Sequence, residues 1–278
     1  MSGRQATALI LAGKRDGRID PLAAAAGVTH KCLVPIAGDP LIGHVLSALA
    51  ASPEIGEIRI SIDDPDALSG LALVRSLVEL RRLRIVPSRP NLVDSVHAAA
   101  EDAAYPLLVT TADNVLLSPQ TVDQFVAAAT GAEVAVAFAT REAVLAAHPE
   151  GQRRFYRFSD NAYSNCNTYW LGSPAALGAA ETFRGGGQFA KHPMRIVRAF
   201  GLINLIRFRY GIGTLDQAFA RFSRRFAMSM RAVIVSDGAT AIDVDNDRTH
   251  AIASALLLER QQQRATDVAI HSQILLCD

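Results

Sequence analysis

Short apolar runs alternate with amphipathic stretches through the first half of the chain, and this rhythm constrains the fold more than any other feature. Residues 8–11, 58–62, 83–86, 107–111 and 133–140 each read as a strand. Residues 41–52, 66–80, 92–104 and 121–129 read as helices, the first with Leu41, Val45, Leu46 and Leu49 on one face. Asp63, Asp64 and Pro65 end the second strand, and Asp66 is expected to cap the helix after it. Alternation of this kind calls for a mostly parallel sheet with helices on both faces. The expected class is α/β, a three-layer α/β/α Rossmann-like arrangement.

In such sheets ligands gather at the carboxyl ends of the strands. The polar residues that follow each strand should therefore converge: residues 13–18, then Ser88 and Arg89, then Asp113. Gly13 opens a loop with Lys14, Arg15 and Arg18. A glycine lets the backbone approach an anion, and cationic side chains there suit phosphates. A plain surface turn between strands would look much the same. Lysine is scarce: Lys14, Lys31 and Lys191 are the three in the chain, and arginine supplies the other cations.

Beyond residue 140 the rhythm changes. Residues 155–158 and 166–171 look like strands joined by the polar stretch 159–165. Asn165 and Asn167 stand in a segment dense in amides and hydroxyls, which reads equally as a hairpin loop or as an acceptor-binding wall. Residues 174–183 read as a helix and 185–187 as a hinge or loop. Residues 184–231 hold ten cations and a single acid, Asp216, mixed with large apolar residues. Four readings stay open: a helix pair with solvated arginines, a pocket for an anionic substrate, a peripheral contact with an anionic membrane, or a homodimer face. Further on, Asp243 and Asp245 would share one face of a strand. A pair of strand-end carboxylates is a hard-oxygen site for a divalent ion. The competing reading is that Asp245 or Asp247 caps a helix over residues 248–264.

Composition excludes several classes. A net charge of +1 gives no global electrostatic case for nucleic acid. Three cysteines without paired spacing argue against a zinc site and for a reducing compartment. The apolar run at residues 9–11 is too short for a secretory leader, and no stretch is long enough to span a bilayer. A cytoplasmic chain is expected, with one domain over residues 1–278 and an inserted acceptor-binding or lid region of α+β character at 151–231.

Four ordered motifs resemble one family. Leu11-Ala12-Gly13 with its basic loop, followed by residues 31–42 (KCLVPIAGDPLI), is similar to the opening signature of the MobA-like NTP transferases, nucleotidyltransferases with a GT-A type fold. Asp94-Ser95-Val96 matches the base-contacting segment, Thr111-Ala112-Asp113-Asn114-Val115 the strand-end magnesium motif, and residues 243–247 the late acidic motif. The resemblance covers about residues 7–140 and 228–262. Two departures stand out: Lys14 replaces a second glycine, and residues 20–27 add an Ala-rich bulge. Residues 155–231 match nothing in it.

The resemblance implies transfer of an NMP group from an NTP to a phosphorylated small-molecule acceptor, with release of pyrophosphate. Both reactants are anions, so the protein must neutralise charge and hold an in-line geometry. Asp113 and Asp245 would hold Mg²⁺, with Asp243 in reserve. Lys31 would steady charge on the α-phosphate or on the leaving group, and Arg15 and Arg18 would meet the β- and γ-phosphates. Leu11, Ala12, Gly13 and Lys14 would contact the nucleotide, with Ser88 and Ser95 near the base. Asn165, Asn167 and Lys191 would face the acceptor. The short Ser88 and Ser95 favour CTP, with GTP next. The basic, apolar acceptor region suits a phospho-alcohol or polyol destined for a lipid headgroup. Three alternatives follow: a GTP-dependent guanylyltransferase of a cofactor precursor, a metal-dependent GT-A glycosyltransferase using Asp243 and Asp245, and a non-catalytic nucleotide sensor.

Overall fold

The computed structural model describes residues 5–14, 18–181, 201, 207 and 209–275. Strand β1 (Ala6–Leu11) leads through α1 (Pro21–Ala25) and a 3-10 turn, Lys31–Leu33, into a two-stranded ribbon, β2 (Pro35–Ile36) and β3 (Asp39–Pro40). Ala37 and Gly38 both have positive φ at the ribbon's tip, the twist that a two-residue hairpin needs. Then come α2 (Leu41–Ala51), β4 (Ile55–Ile62), α3 (Ala72–Glu79), β5 (Leu83–Pro87), α4 (Leu92–Ala100), β6 (Leu107–Thr111), α5 (Pro119–Ala129) and β7 (Val134–Thr140). The remaining elements are α6 (Arg141–Ala147), β8 (Tyr156–Arg157), β9 (Ala162–Leu171), α7 (Leu177–Ala180), α8 (Leu215–Phe226), β10 (Met230–Ile234) and α9 (Asp247–Leu275).

The main sheet has eight strands in the order β10-β7-β9-β6-β1-β4-β5, with β8 added against β9. Six of them run parallel: β1 pairs with β4 and β6, β4 with β5, and β7 with β10, while β9 lies antiparallel to both β6 and β7. The expected α/β class with a mostly parallel sheet is what the chain forms. The segment expected as an insertion contributes β9 to the middle of this sheet.

Period-two alternation explains the layers. Ala8 and Ile10 of β1 join the larger apolar cluster, with Leu41, Leu46 and Leu49 of α2, Phe125 of α5 and Ile252 of α9. Leu9, between them, joins the opposite cluster with Val96 and Ala99 of α4 and Val109 of β6. On that second side α8 sets Leu215 and Phe219 against Phe138 and Tyr163. The helix pair expected within residues 184–231 lies in part outside the described residues; α8 itself leaves Arg224 and Arg225 exposed. Among the described residues no helix is long and apolar enough to cross a membrane.

Two local expectations change. Residues 66–80 do not form one helix: Pro65–Leu68 is a 3-10 turn, Gly70 follows it, and α3 starts at Ala72. Asp64, not Asp66, is the capping side chain, accepting the Asp66 N–H at 3.1 Å. Residues 242–246 are not a strand but an extended connection between the 3-10 turn Gly238–Ala241 and α9. Asn246 caps α9 by accepting the Thr249 N–H at 3.2 Å, so no aspartate is needed for that task.

Buried Arg59, 3% exposed, ties α4 to the sheet by donating to the Ala99 carbonyl at 2.9 Å and to Asp102 Oδ1 at 2.5 Å. Arg84 also donates to Asp102. The Arg84 bond, then the Arg59 bond, lowers the Asp102 carboxyl from 3.8 to about 2. This contribution to stability is present above the ordinary carboxylate value and is lost as pH falls through about 2. Asp102→Asn should therefore flatten that part of the acid-unfolding curve, followed by circular dichroism; an unchanged curve would dissociate Asp102 from it. A second test concerns Gly238, where a side-chain carbon would overlap the Ala143 carbonyl of α6. Gly238→Ala should lower the unfolding free energy by about 3 kcal/mol. Gly70→Ala has nothing within 4 Å and should stay within ~0.5 kcal/mol of the parent in denaturant titrations.

Candidate active site

Four neighbouring parallel strands end side by side, and each delivers a polar residue to the same edge. In sheet order these are Asp113 after β6, Gly13 after β1, Asp63 after β4 and Ser88 after β5. The chain grows outward from β1 to β4 and β5, then crosses to β6 on the other side. The gap between β1 and β6 is thus the topological switch point, where open α/β sheets bind ligands. The Ala112 N–H donates to Leu11 O at 3.1 Å and holds the two strand ends together.

Lys31 reaches this edge from the 3-10 turn. Its ammonium donates to Asp113 Oδ2 at 2.6 Å and to Asp245 Oδ1 at 3.0 Å. Burial works against the charged lysine, but Asp113, and after it Asp245, more than offset that and raise its pKa. Lys31 is therefore an ammonium at neutral pH. Asp113, Asp243 and Asp245 each offer an oxygen, and these oxygens all lie within 4.8 Å of one another. Burial first, then the charges of Asp245 and Asp113, pushes the Asp243 carboxyl up to about 8. Asp113 Oδ1 is buried without a hydrogen-bond partner. An orphaned carboxylate oxygen within a set of hard oxygen donors fits a divalent cation of the Mg²⁺ class.

Asn114 braces this cluster from behind. It is fully buried, and its amide donates to the Cys166 carbonyl at 2.9 Å, with Thr110 and Thr168 hydroxyls at 3.3 Å. The Val244 N–H donates to Asp113 O at 3.1 Å, which docks the late acidic segment on the end of β6.

The expected nucleotide residues fall on the same edge with different degrees of freedom. Gly13 needs its missing side chain, since a Cβ there would sit 2.8 Å from Ser88 Oγ. The Ala12 N–H is spent on Ser61 O at 2.8 Å, and the Lys14 N–H on Asp63 Oδ1 at 2.9 Å. Ser95 is 5% exposed, and its hydroxyl accepts the Arg89 N–H at 2.9 Å and donates to Asn91 O at 2.9 Å. It shapes the loop between β5 and α4 from inside. Arg18 is exposed. Arg15 and Lys191 lie outside the described residues. On β9, Asn165 donates to the Tyr169 hydroxyl at 3.0 Å and accepts the Asn167 N–H at 2.7 Å, so both asparagines shape the strand's irregular start, where Asn167 has φ 48°.

Sequence reasoning passed over Asp63, His30 and Asn114 as site residues. Asp63 had a usable signal: it follows an apolar strand run just as Asp113 does.

Residues 8–199 match the MobA-like NTP transferase domain, more than half of the chain. The chain belongs to the MobA-like NTP transferase family. Solved structures of similar fold include a hypothetical transferase from Thermus thermophilus, at 24% identity and a TM-score of 0.73, over 88% of this chain and 99% of that one. CMP:2-keto-3-deoxy-manno-octonic acid synthetase complexed with CTP aligns at 15% identity and a TM-score of 0.59, over 92% and 99%. 4-Diphosphocytidyl-2C-methyl-D-erythritol synthase from Anaerococcus prevotii aligns at 11% identity and 0.56, over 92% and 96%. At these identities the likeness is one of fold. No protein of the curated set matches the chain significantly.

A divalent cation held by the acidic cluster would compete with Lys31, which donates to Asp113 and Asp245. Lys31→Met should therefore bind Mn²⁺ more tightly than the parent and gain more thermal stability from it, while Asp113→Asn should gain less. At about 100 times the dissociation constant the gain is ~2.7 kcal/mol. Thermal melts across a Mn²⁺ titration read this directly, and melts indifferent to Mn²⁺ in every variant would exclude the acidic cluster as a cation site.

Proposed function

We propose that this chain transfers a nucleoside monophosphate, CMP in preference to GMP, from the triphosphate to a phosphorylated small-molecule acceptor, with release of pyrophosphate. The observation that carries the reading is the Lys31 ammonium held between Asp113 and Asp245 at the switch point of a MobA-like NTP transferase fold. A lysine and a trio of acids at one strand edge suit a reaction in which two anions must meet.

In this reaction an acceptor phosphate oxygen forms a bond to the α-phosphorus, and the bond from that phosphorus to the β-bridging oxygen breaks. Both electrons of the broken bond leave with pyrophosphate. Lys31 lies within reach of the carboxylates that would face the α-phosphate, and its ammonium offsets the charge that grows on the transferring and leaving groups. Asp113, Asp243 and Asp245 would hold Mg²⁺, which when bound neutralises phosphate charge and favours the attacking geometry. Lys14 and Arg18 supply further positive charge on the triphosphate side, and Arg15 belongs to the same loop in sequence. Gly13 lets the nucleotide lie close to the backbone beside Ser88.

The preference for CTP rests on the short side chain of Ser88, since the Ser95 hydroxyl is engaged within its own loop. Asn165, Asn167 and Lys191 are proposed for the acceptor side. A phospho-alcohol or polyol headgroup precursor is the favoured acceptor class, from the basic and apolar composition of residues 184–231. That composition also leaves a membrane-surface contact or a homodimer face as roles for the segment.

Pyrophosphate release with Mg²⁺, each of the four ribonucleoside triphosphates and a panel of phosphorylated alcohols, sugars and cofactor precursors tests this reading. Release is expected with one triphosphate and one acceptor, and Asp113→Ala or Lys31→Ala should lower it by about 10²- to 10³-fold. Release of a nucleoside diphosphate from a nucleotide sugar would instead indicate a glycosyltransferase. Tight NTP binding with no turnover against any acceptor would indicate a sensor.

A further inference from the structure

Two arms of the nucleotide cradle meet at a carboxylate that the proposed chemistry leaves idle. Asp63 follows β4, the strand beside β1. Its Oδ1 accepts the Lys14 backbone N–H at 2.9 Å, and its Oδ2 lies 3.5 Å from the Lys14 ammonium. From the other side, His30 Nε2 approaches Asp63 Oδ1 to 3.3 Å. His30 is 1% exposed, and its Nδ1 is 2.8 Å from Thr29 Oγ1. It stands immediately before Lys31 at the start of the 3-10 turn, and its carbonyl accepts the Leu33 N–H at 3.0 Å. One carboxylate thus touches the Gly13–Lys14 loop on one side and the root of the Lys31 turn on the other.

A buried imidazole is costly unless its nitrogens are met. Here the Nε2 that faces Asp63 has no other partner among the described residues. Burial favours the neutral acid at Asp63, but the Lys14 N–H and His30 more than offset it and keep the carboxyl below its ordinary value. The Asp63 side chain is 37% exposed, so removing it opens no core cavity. Substitutions at such positions usually move stability by within about 0.5 kcal/mol.

We infer that Asp63, backed by His30, is a positioning residue for the nucleotide: it fixes the Gly13–Lys14 backbone relative to the Lys31 turn, so that the cationic groups at both ends of the cradle keep one spacing. It acts through Lys14 and His30 and does not touch the reacting atoms. The inference rests on the nucleotidyl-transfer reading, because the cradle it sets is the one proposed to hold the triphosphate.

The test measures equilibrium binding of CTP and GTP with Mg²⁺, without acceptor, to the full chain. Wild type, Asp63→Ala and Asp63→Asn are compared, with Mn²⁺ affinity and thermal midpoint taken on the same samples. Asp63→Ala should weaken NTP binding by about tenfold or more, because small misplacements of binding groups carry penalties of that size. Its nucleotide-free Mn²⁺ affinity should stay within about twofold of wild type, since Asp63 contributes no oxygen to the acidic trio. Asp63→Asn keeps an acceptor for the Lys14 N–H and should fall between the two. If Asp63→Ala does not fold, Asp63→Asn decides by the same two readouts. NTP affinity in the variants equal to wild type would overturn the positioning role alone. An equal loss of NTP and Mn²⁺ binding would overturn it in favour of general destabilisation. A wild type that binds neither CTP nor GTP would overturn the nucleotidyl-transfer reading and this inference together.

Discussion

Three carboxylates crowded within 4.8 Å repel one another, and the rest of the site depends on how that repulsion is managed. At an effective dielectric near 20, two like charges about 4 Å apart cost roughly 4 kcal/mol. Lys31 answers by donating to two of the three, and Asp243 answers by holding its proton up to about pH 8. The three acids and the lysine come from residues 31, 113 and 243–245, far apart in the chain. No local propensity brings them together. The parallel sheet does so, by ending β1 and β6 at one edge and by docking Val244 on the Asp113 carbonyl.

That edge was legible in the sequence because strand ends are. An apolar run stopping at a polar residue marks both the strand and the place where it meets solvent, which located Gly13, Ser88 and Asp113. The scarcity of lysine singled out Lys31 and the acidic spacing singled out Asp243 and Asp245; the resemblance to MobA-like NTP transferases joined them to Asp113 in one site, and the match over residues 8–199 bears the family out. What pattern alone misjudged was conformation around the late acids. Asp243 and Asp245 converge with Asp113 although residues 242–246 form no strand. The segment is held from outside, by Val244 buried in the core and by the Thr249 hydroxyl, which accepts the Asp245 and Asn246 N–H groups at 2.9 and 3.2 Å. Such partners are invisible to a period-two argument.

β9 was only half legible for a related reason. Residues 166–171 read as a strand, but residues 162–165, the first part of β9, read as the end of a polar connecting stretch. The strand continues through them because Asn165 bonds within the irregular stretch and Asn114 donates to the Cys166 carbonyl. An antiparallel strand between two parallel neighbours also points the other way. The start of β9 therefore lies at the site edge of β7, with Asn165 beside Phe138. The same reversal puts the Cys166 carbonyl within reach of Asn114, directly after Asp113 at the strand edge.

The glycine loop proposed to hold the triphosphate has given up donors that such loops usually offer. A loop rich in glycine binds phosphate through backbone N–H groups aimed at it. Here two of those groups face inward: the Ala12 N–H goes to Ser61 and the Lys14 N–H to Asp63. Lys14 also stands where the resemblance has a second glycine, and under the proposed function its side chain would supply by charge what the backbone no longer offers. A point charge on a flexible stem has less intrinsic geometry than a fixed row of N–H groups. Its direction must be set by a neighbour, and Asp63, tied through His30 to the turn that carries Lys31, is the neighbour in contact with it.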